Sequence, residues 1–204
     1  SSVKWSPSRA FKFVQTEVSP SMRTILVDWL ISVAPQLRLH TKTLCLSVSY
    51  LDRYLSLRPV SGCDFQILAV ACLLIAAKFE EVTPISIDEL LFISDHVFDR
   101  PLLLFWEKQV LLALNFEMAR TTPHEIIENL MLQTDFDDKS RNVADMLLHI
   151  FMCHPSYVLH SPTEIAAAAV WLSLAVRQEA GGIRHNQDLL DRVMNVDWVL
   201  GLCR

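Results

Sequence analysis

The spacing of apolar residues along the chain predicts a protein built almost wholly from α-helices. Apolar residues recur every three or four positions within segments that start near Ser, Thr, Asp or Pro and stop at Pro or Gly. In the first half, the predicted helices cover residues 20–39, 41–57, 65–81, 87–93 and 101–114. Ser19 or Ser21 is expected to cap the first helix and Asp64 the third. The only candidate strand, residues 11–18, is short and isolated.

The same plan repeats in the second half of the chain. Helices are predicted over residues 123–133, 138–152 and 161–176, then over a short stretch at 186–194 and from 196 onward. The two most apolar helices begin about 100 residues apart, near Phe65 and Ile165. Duplication of a five-helix unit explains this repeat better than one ten-helix fold does.

The predicted fold is therefore all-α, with two tandem five-helix units. The expected boundaries are an N-terminal segment at 1–19, a first unit at 20–118 and a second unit at 119–204. Only about nine residues remain for the last helix. We expect either that the second unit ends early or that the chain has been cut there.

The first predicted helix carries two apolar stripes instead of one. In "SMRTILVDWL", a rotation of about 100° per residue places on one stripe Met22, Ile25, Leu26, Trp29 and Val33. The second stripe contains Val27, Leu30, Ile31 and Ala34. One stripe is enough to fix a surface helix to a core. The helix is therefore either central in the fold, or it presents an apolar strip to a partner.

Two pairs of charged residues stand out within apolar helices. Lys78 ends the most apolar helix, and Glu107 lies within "LLLFWEKQVLLAL". A lone buried charge is costly, so these two are expected to reach solvent, to pair with each other, or to lie at an edge where a partner docks. Arg23 and Asp52 are expected to form a structural ion pair between the first two helices.

Composition and charge exclude several functional classes. The chain has 204 residues, of which 51% are hydrophobic and 20% charged, and its net charge is -5. A nucleic-acid binder should instead carry a basic patch. The longest uncharged apolar run, residues 65–77, is too short to cross a bilayer. We therefore expect neither a nucleic-acid nor a membrane partner.

No catalytic or metal-binding motif stands out. The sequence has no glycine-rich phosphate loop, no GxSxG and no HExxH. The cysteine count is odd, at five, and no CxxC pair is present, which favours buried free thiols in a reducing compartment. Cys153 and His154 beside His149 fit no common zinc site. We expect no enzyme, no cofactor and no metal.

Four segments together resemble the N-terminal box of a cyclin. They are "MRTILVDWL", "YLDRYLSL", "AVACLLIAAKFEE" and "WEKQVLLALNFE", in this order and at these distances. The likeness is strong over residues 11–116, and "TPHEIIE" and "SPTEIAAAAV" extend it into the second half. The resemblance implies two five-helix cyclin boxes. "MRTILVDWL" and "KFEE" are similar to A- and B-type cyclins, whereas "FKFVQTEVSPSMR" and "YLDRYLSLRPV" are similar to D-type and gammaherpesvirus cyclins. We expect a divergent D-like or viral cyclin.

The resemblance implies a regulatory subunit that binds and activates a cyclin-dependent kinase. Lys78 and Glu107 match the family's characteristic lysine and glutamate, which contact the kinase. Apolar positions of the same interface are matched by Phe79, Ile75, Leu111, Phe116 and Met118. The cyclin itself contributes no catalytic group to the reaction.

The resemblance also implies a patch that recruits substrates and inhibitors carrying an Arg-x-Leu motif. The matching residues are Met22, Ile25, Leu26 and Trp29, with Gln66 and the acidic Asp95. The first apolar stripe would then face a partner and the second would face the core. Ser32 stands where A-type cyclins carry an acidic residue that helps to hold the motif's arginine.

Two other interpretations compete with a kinase activator. A cyclin-fold transcription or scaffold module would not activate a kinase, but a DNA-binding copy of the fold should be basic. A cyclin-like protein that has lost kinase binding would keep the fold alone. For an activator of this family we expect a nuclear and cytoplasmic location, in the host cell if the protein is viral.

Overall fold

The computed structural model describes residues 14–83, 85–132 and 137–179. Within these ranges the chain forms eight α-helices and two short 3-10 helices, and no strand. The α-helices are α1 Pro20–Val33, α2 Thr41–Leu57, α3 Phe65–Glu80, α4 Ile87–Ile93, α5 Arg100–Ala113, α6 Pro123–Leu132, α7 Asp138–Cys153 and α8 Pro162–Glu179. The 3-10 helices are Gly62–Asp64 and Pro155–Leu159. The predicted all-α class is confirmed for these residues.

The chain divides into two compact units. Unit 1 ends at Arg120 and also takes Met152–Leu159, whereas unit 2 contains Thr121–Phe151 and resumes at His160. The predicted helices at 186–194 and from 196, and residues 11–13 of the candidate strand, lie outside the described residues. Residues 14–18 form no strand. The predicted domain boundaries and the assignment of five helices to each unit stay predictions.

Helix α3 is the centre of unit 1, as its uniform apolarity predicts. Every residue from Ile67 to Ala77 is buried, and α3 packs against both α2 and α5. The stretch Gly62–Glu80 is long and apolar enough to span a membrane by composition, but 67% of its most apolar window is buried inside the protein. Such burial is typical of the central helix of a bundle.

Unit 2 is organised around the packing of α6 against α8. The alanine tract of α8 is almost fully buried at Ala166, Ala167 and Ala169. Alanine has the smallest side chain that still favours helix, so it lets a neighbouring helix approach closely. Ile127 on α6 and Leu148 on α7 contribute fully buried side chains to unit 2.

Helix α1 is shorter than predicted, since it ends at Val33 and not near Leu39. Pro35 has no N–H with which to continue the helical ladder. Arg38 then adopts a positive φ of 55°, and the Leu39 N–H donates to the Ala34 carbonyl at 3.0 Å. Helices commonly end with such a left-handed residue and a hydrogen bond from the next N–H to a carbonyl several residues earlier.

Side-chain caps fix several helix starts. The Ser19 hydroxyl accepts a hydrogen bond from the Met22 N–H at 3.2 Å, which confirms the predicted cap of α1. Ser and Glu three residues apart form a capping box at α4, through Ser86 and Glu89. The predicted cap at Asp64 is wrong, because its side chain makes no capping bond. Asp64 closes a 3-10 turn with helical φ and ψ, whereas capping residues are normally extended.

Arg23 and Asp52 form a buried ion pair inside unit 1. The Arg23 Nε and Nη2 atoms donate to the two Asp52 carboxylate oxygens at 2.6 and 2.8 Å, and Nη1 donates to the Met152 carbonyl at 2.9 Å. The guanidinium carbon lies 5.8 Å from the centre of the Tyr157 ring. Burial lowers the pKa of Arg23, but the charge and hydrogen bonds of Asp52 outweigh it and raise the pKa above its usual value. The arginine therefore stays charged.

The four cysteines within the described residues form no disulfide, and they lie in two kinds of environment. Cys45 and Cys72 are buried, and burial raises the pKa of Cys72 far above its usual range. Cys63 is exposed and Cys153 is partly exposed, so the expectation that all thiols are buried is wrong for these two. Cys63 lies in the 3-10 turn before α3, where its side chain points away from the core. Cys203 lies outside the described residues.

Candidate functional site

The first candidate surface is formed by the end of α3 and the outer side of α5, and is called the α3–α5 face below. Lys78 on α3 and Glu107 on α5 form an ion pair there, with 2.6 Å between Nζ and Oε1. The Lys78 side chain is 45% exposed and that of Glu107 is 13% exposed. The two residues therefore pair with each other and also lie at an open edge, which combines two of the alternatives left by the sequence.

Exposed apolar side chains follow this ion pair along the same two elements. Phe79 follows Lys78 on α3 and is half exposed, and Phe116 follows the end of α5 with 63% exposure. Leu111 is partly exposed. Large apolar side chains with this exposure in a globular unit are typical of a surface that binds another protein.

Helix α5 extends the apolar surface beyond the predicted residues. Only Leu103 and Val110 of its 14 residues are buried. Leu104, Phe105 and Leu112 are 41%, 53% and 50% exposed. Sequence reasoning missed these three residues. The available signal was that α5 is apolar on nearly every side, whereas a helix packed on one core needs a single stripe.

Two residues predicted for this interface are buried in the free chain. Ile75 is 4% exposed within α3, and Met118 is 8% exposed after α5. The Met118 carbonyl accepts a hydrogen bond from the Tyr50 hydroxyl at 2.8 Å. In the free chain, these two side chains lie beneath the α3–α5 face and are not exposed on it.

The backbone at Asn115 and Phe116 is strained. Both residues have a positive φ, of 52° and 56°. This left-handed region costs a non-glycine residue about 1 kcal/mol or more, and glycine is the residue that normally occupies it. Consecutive backbone hydrogen bonds hold the turn, among them Phe116 N–H to the Leu111 carbonyl at 3.0 Å. The turn therefore holds an exposed aromatic ring at a strained backbone position.

We expect Phe116→Gly to be more stable than Phe116→Ala. Both variants remove the exposed ring, but only glycine relieves the strained φ, so the difference should be about 1 kcal/mol. For a chain of this length that corresponds to about 2–4 °C in the melting temperature. Thermal unfolding followed by circular dichroism measures it. Equal melting temperatures would show that the turn is not strained.

Glu81, at the end of α3, is held by a network that sequence reasoning missed. Its carboxylate accepts hydrogen bonds from the Thr43 hydroxyl and from the His40 N–H, the latter at 2.9 Å. The His40 ring contacts the other carboxylate oxygen at 2.7 Å. Partial burial raises the pKa of Glu81, but these hydrogen bonds outweigh it, and the net pKa is lowered. The network ties the start of α2 to the end of α3 beside Lys78.

The second candidate surface is on α1, and is called the α1 patch below. Ile25 is 70% exposed, and Met22 and Trp29 are partly exposed. Val27 and Leu30 on the other stripe are fully buried. The predicted split into two stripes is therefore visible as an exposed stripe and a buried stripe, with three departures. On the second stripe, Ile31 is partly exposed. Leu26 and Val33 are 8% and 3% exposed, so their side chains pack in the core.

The remaining residues predicted for the α1 patch lie on other elements. Gln66 is partly exposed in the first turn of α3, and Asp95 is exposed after α4 with a φ of 54°. Gly62 lies close to Met22, since a β-carbon on Gly62 would be 3.7 Å from Met22 Cε. The turn before α3 thus borders the patch. The Ser32 hydroxyl donates to the Trp29 carbonyl at 2.7 Å, within its own helix.

The part of the chain that the structure describes shows no group of three or more His, Cys, Asp or Glu residues that could hold a metal ion. The groups singled out above, an ion pair and exposed apolar side chains, suit binding to another protein.

Comparison with known proteins gives one family. The family described as "Cyclin, N-terminal domain" matches residues 1–119. Cyclin-A3-2 of Arabidopsis thaliana is 36% identical over 170 residues, which is 78% of this chain and 44% of that protein. Cyclin-A1 of Carassius auratus is 34% identical over 172 residues, 84% of this chain and 44% of that protein. The chain thus spans less than half the length of these relatives.

Solved structures show the same fold. A viral cyclin from herpesvirus saimiri matches with a TM-score of 0.79 and 24% identity, over 90% of this chain and 81% of that one. A chain of the yeast RNA polymerase II CTD kinase complex CTDK-1 matches with a TM-score of 0.61 and 16% identity, over 90% of this chain and 64% of that one. At these identities the likeness concerns the fold alone.

Proposed function

The chain belongs to the cyclin family, and we propose that it binds and activates a cyclin-dependent protein kinase. The observation that carries the proposal is the Lys78–Glu107 ion pair, 2.6 Å long, at the edge of an exposed apolar face. Family likeness in "KFEE" and "WEKQVLLALNF" supports the assignment of this face to the kinase. The yeast CTD kinase complex CTDK-1 contains a chain of the same fold. The two compact units would then be the two cyclin boxes.

The geometry suits an interface with apolar anchors and a charged rim. Phe79, Phe105 and Phe116 are exposed aromatic residues, a type enriched at interfaces, whereas Lys78 and Glu107 can direct hydrogen bonds to the partner. Protein kinases are switched by moving one helix inward, so that its glutamate pairs with the catalytic lysine. Docking of the α3–α5 face would hold that helix inward. The cyclin supplies binding energy and no reacting group.

A mixing experiment tests this function. The purified chain is combined with each member of a panel of cyclin-dependent kinases, and histone phosphorylation and co-elution are read together. We expect at least one kinase to co-elute with the chain and to gain activity. Co-elution without activation would favour a scaffold. Neither binding nor activation across the panel would contradict the proposal.

We further propose that the α1 patch recruits substrates and inhibitors carrying an Arg-x-Leu motif. Ile25 is unpartnered at 70% exposure, and Met22 and Trp29 flank it on the same stripe. These side chains can receive the motif's leucine. Asp28 and Asp95 are exposed acidic residues for its arginine, in the absence of an acid at position 32.

Ile25→Arg should abolish binding of an Arg-x-Leu peptide and leave the fold intact. The substitution places a positive charge where an apolar group and an arginine must dock, and Ile25 is too exposed to support the core. Fluorescence polarisation with a labelled peptide measures the affinity. Met146→Ala in unit 2 is the control, since Met146 is 55% exposed and lies on another element. Unchanged peptide binding by the Ile25 variant would reject the docking function.

A further inference from the structure

The segment before α1 is fastened to the end of α2 by one glutamine. The Gln15 Nε2 atom donates to the carbonyls of Leu55 and Arg58, each at 2.6 Å, and its Oε1 atom accepts from the Val60 N–H at 3.1 Å. The Leu55 carbonyl has no N–H donor four residues later, because residue 59 is proline. Gln15 thus caps the end of α2 from 40 residues away in sequence.

A second side chain of the same segment fixes the turn that follows. The Glu17 carboxylate accepts a hydrogen bond from the Gly62 N–H at 3.0 Å. Gly62 opens the 3-10 turn that leads into α3 and its Gln66. The same glycine lies against Met22 of the α1 patch. Gln15 and Glu17 therefore hold the connection of residues 58–64 beside this patch.

We propose that Gln15 and Glu17 are positioning residues for the α1 patch, which set the α2–α3 connection against Met22 and so shape the site for an apolar, arginine-containing peptide. The proposal rests on the docking function proposed above. Neither residue needs to touch the peptide. A site held in advance loses less conformational entropy on binding than one that must be ordered by its ligand.

Glu17 gives the cleaner test, because its side chain is exposed and its loss leaves no buried group unsatisfied. Glu17→Ala should lower the affinity for a labelled Arg-x-Leu peptide by about two- to tenfold, which is the effect of losing one hydrogen bond. Glu17→Gln keeps an oxygen acceptor and should restore binding. Glu164→Ala is the matched control, since it removes a carboxylate acceptor of a backbone N–H, that of Ser161, at another helix start.

Gln15→Ala should lower the affinity for the peptide more than Glu17→Ala does. It should also lower the melting temperature, because the buried Leu55 carbonyl loses its donor. In the active kinase complex, both variants should raise the KM of a substrate that carries the motif. The kcat of that substrate and the rate on a short peptide without the motif should not change. A loss of stability alone would not produce this separation.

The outcomes distinguish this inference from the docking function beneath it. Weaker binding by Glu17→Ala with rescue by Glu17→Gln supports the inference. If Ile25→Arg abolishes binding while Glu17→Ala and Gln15→Ala bind like the unaltered chain, the positioning role is wrong and the docking function stands. If Ile25→Arg binds normally, the docking function is wrong and the inference falls with it.

Discussion

Replacing both Lys78 and Glu107 by alanine is expected to abolish kinase activation while the helical fold stays intact. Truncating a hydrogen-bonded charge pair within an interface typically costs 2–5 kcal/mol, so the affinity for the kinase should fall by about 30-fold or more. In the free chain, the pair lies at an open edge with Lys78 45% exposed. Exposed pairs contribute at most about 1 kcal/mol to stability. Phosphorylation assays over a range of cyclin concentrations, with circular dichroism of each variant, measure both effects.

A charge exchange separates a structural role of this pair from a binding role. Lys78→Glu combined with Glu107→Lys can rebuild the ion pair inside the chain, but it presents the charges to the kinase in reverse order. We expect no activation by the exchanged variant. Recovery of activation would mean that the pair only braces α3 against α5. Asp88→Ala with Arg100→Ala is the matched control, since this exposed pair on α4 and α5 lies outside the predicted kinase contacts.

The helices within the described residues could be predicted because local signals and burial agree along most of the chain. The start of α1 is indicated by Ser19 before Pro20, and α3 is indicated by its uniformly apolar run. The end of α1 was missed although Pro35 interrupts the helical hydrogen bonds, because the final turn also depends on a left-handed Arg38, a residue type that rarely takes this conformation. No sequence pattern predicts the left-handed conformation of Arg38, whereas a glycine at that position would have indicated it.

The two candidate surfaces could be predicted only in outline. Periodicity separates the two stripes of α1, but it cannot show that Leu26 and Val33 turn inward while Ile25 stays exposed, since the three lie on one stripe. The answer depends on what packs beside the helix. The burial of Ile75 and Met118 in the free chain could not be predicted for the same reason. The Gln15 contacts join residues at least 40 positions apart, so no local pattern could reveal them.

The second large effect is expected at the buried ion pair of unit 1. Asp52→Ala should lower the free energy of unfolding by about 3–5 kcal/mol, because it leaves the Arg23 charge buried without its counterion. In a chain of this length the melting temperature should fall by roughly 6–20 °C. Chemical and thermal denaturation measure the loss. Arg23→Ala should destabilise the chain comparably, since it also removes the donor to the Met152 carbonyl.

A double variant shows whether the pair is needed for stability or only costly to break. Arg23→Met with Asp52→Leu replaces both charges by apolar side chains of similar size, so no unpaired charge remains, and exchanges of this kind are often neutral. The double variant should therefore be more stable than either single alanine variant. The Met152 carbonyl still loses its donor, which costs about 1–3 kcal/mol, and this keeps the double variant below the unaltered chain. If the double variant loses as much free energy of unfolding as the two single variants together, the two charges do not act as a pair. The packing of α1 against α2 is then stabilised by another interaction.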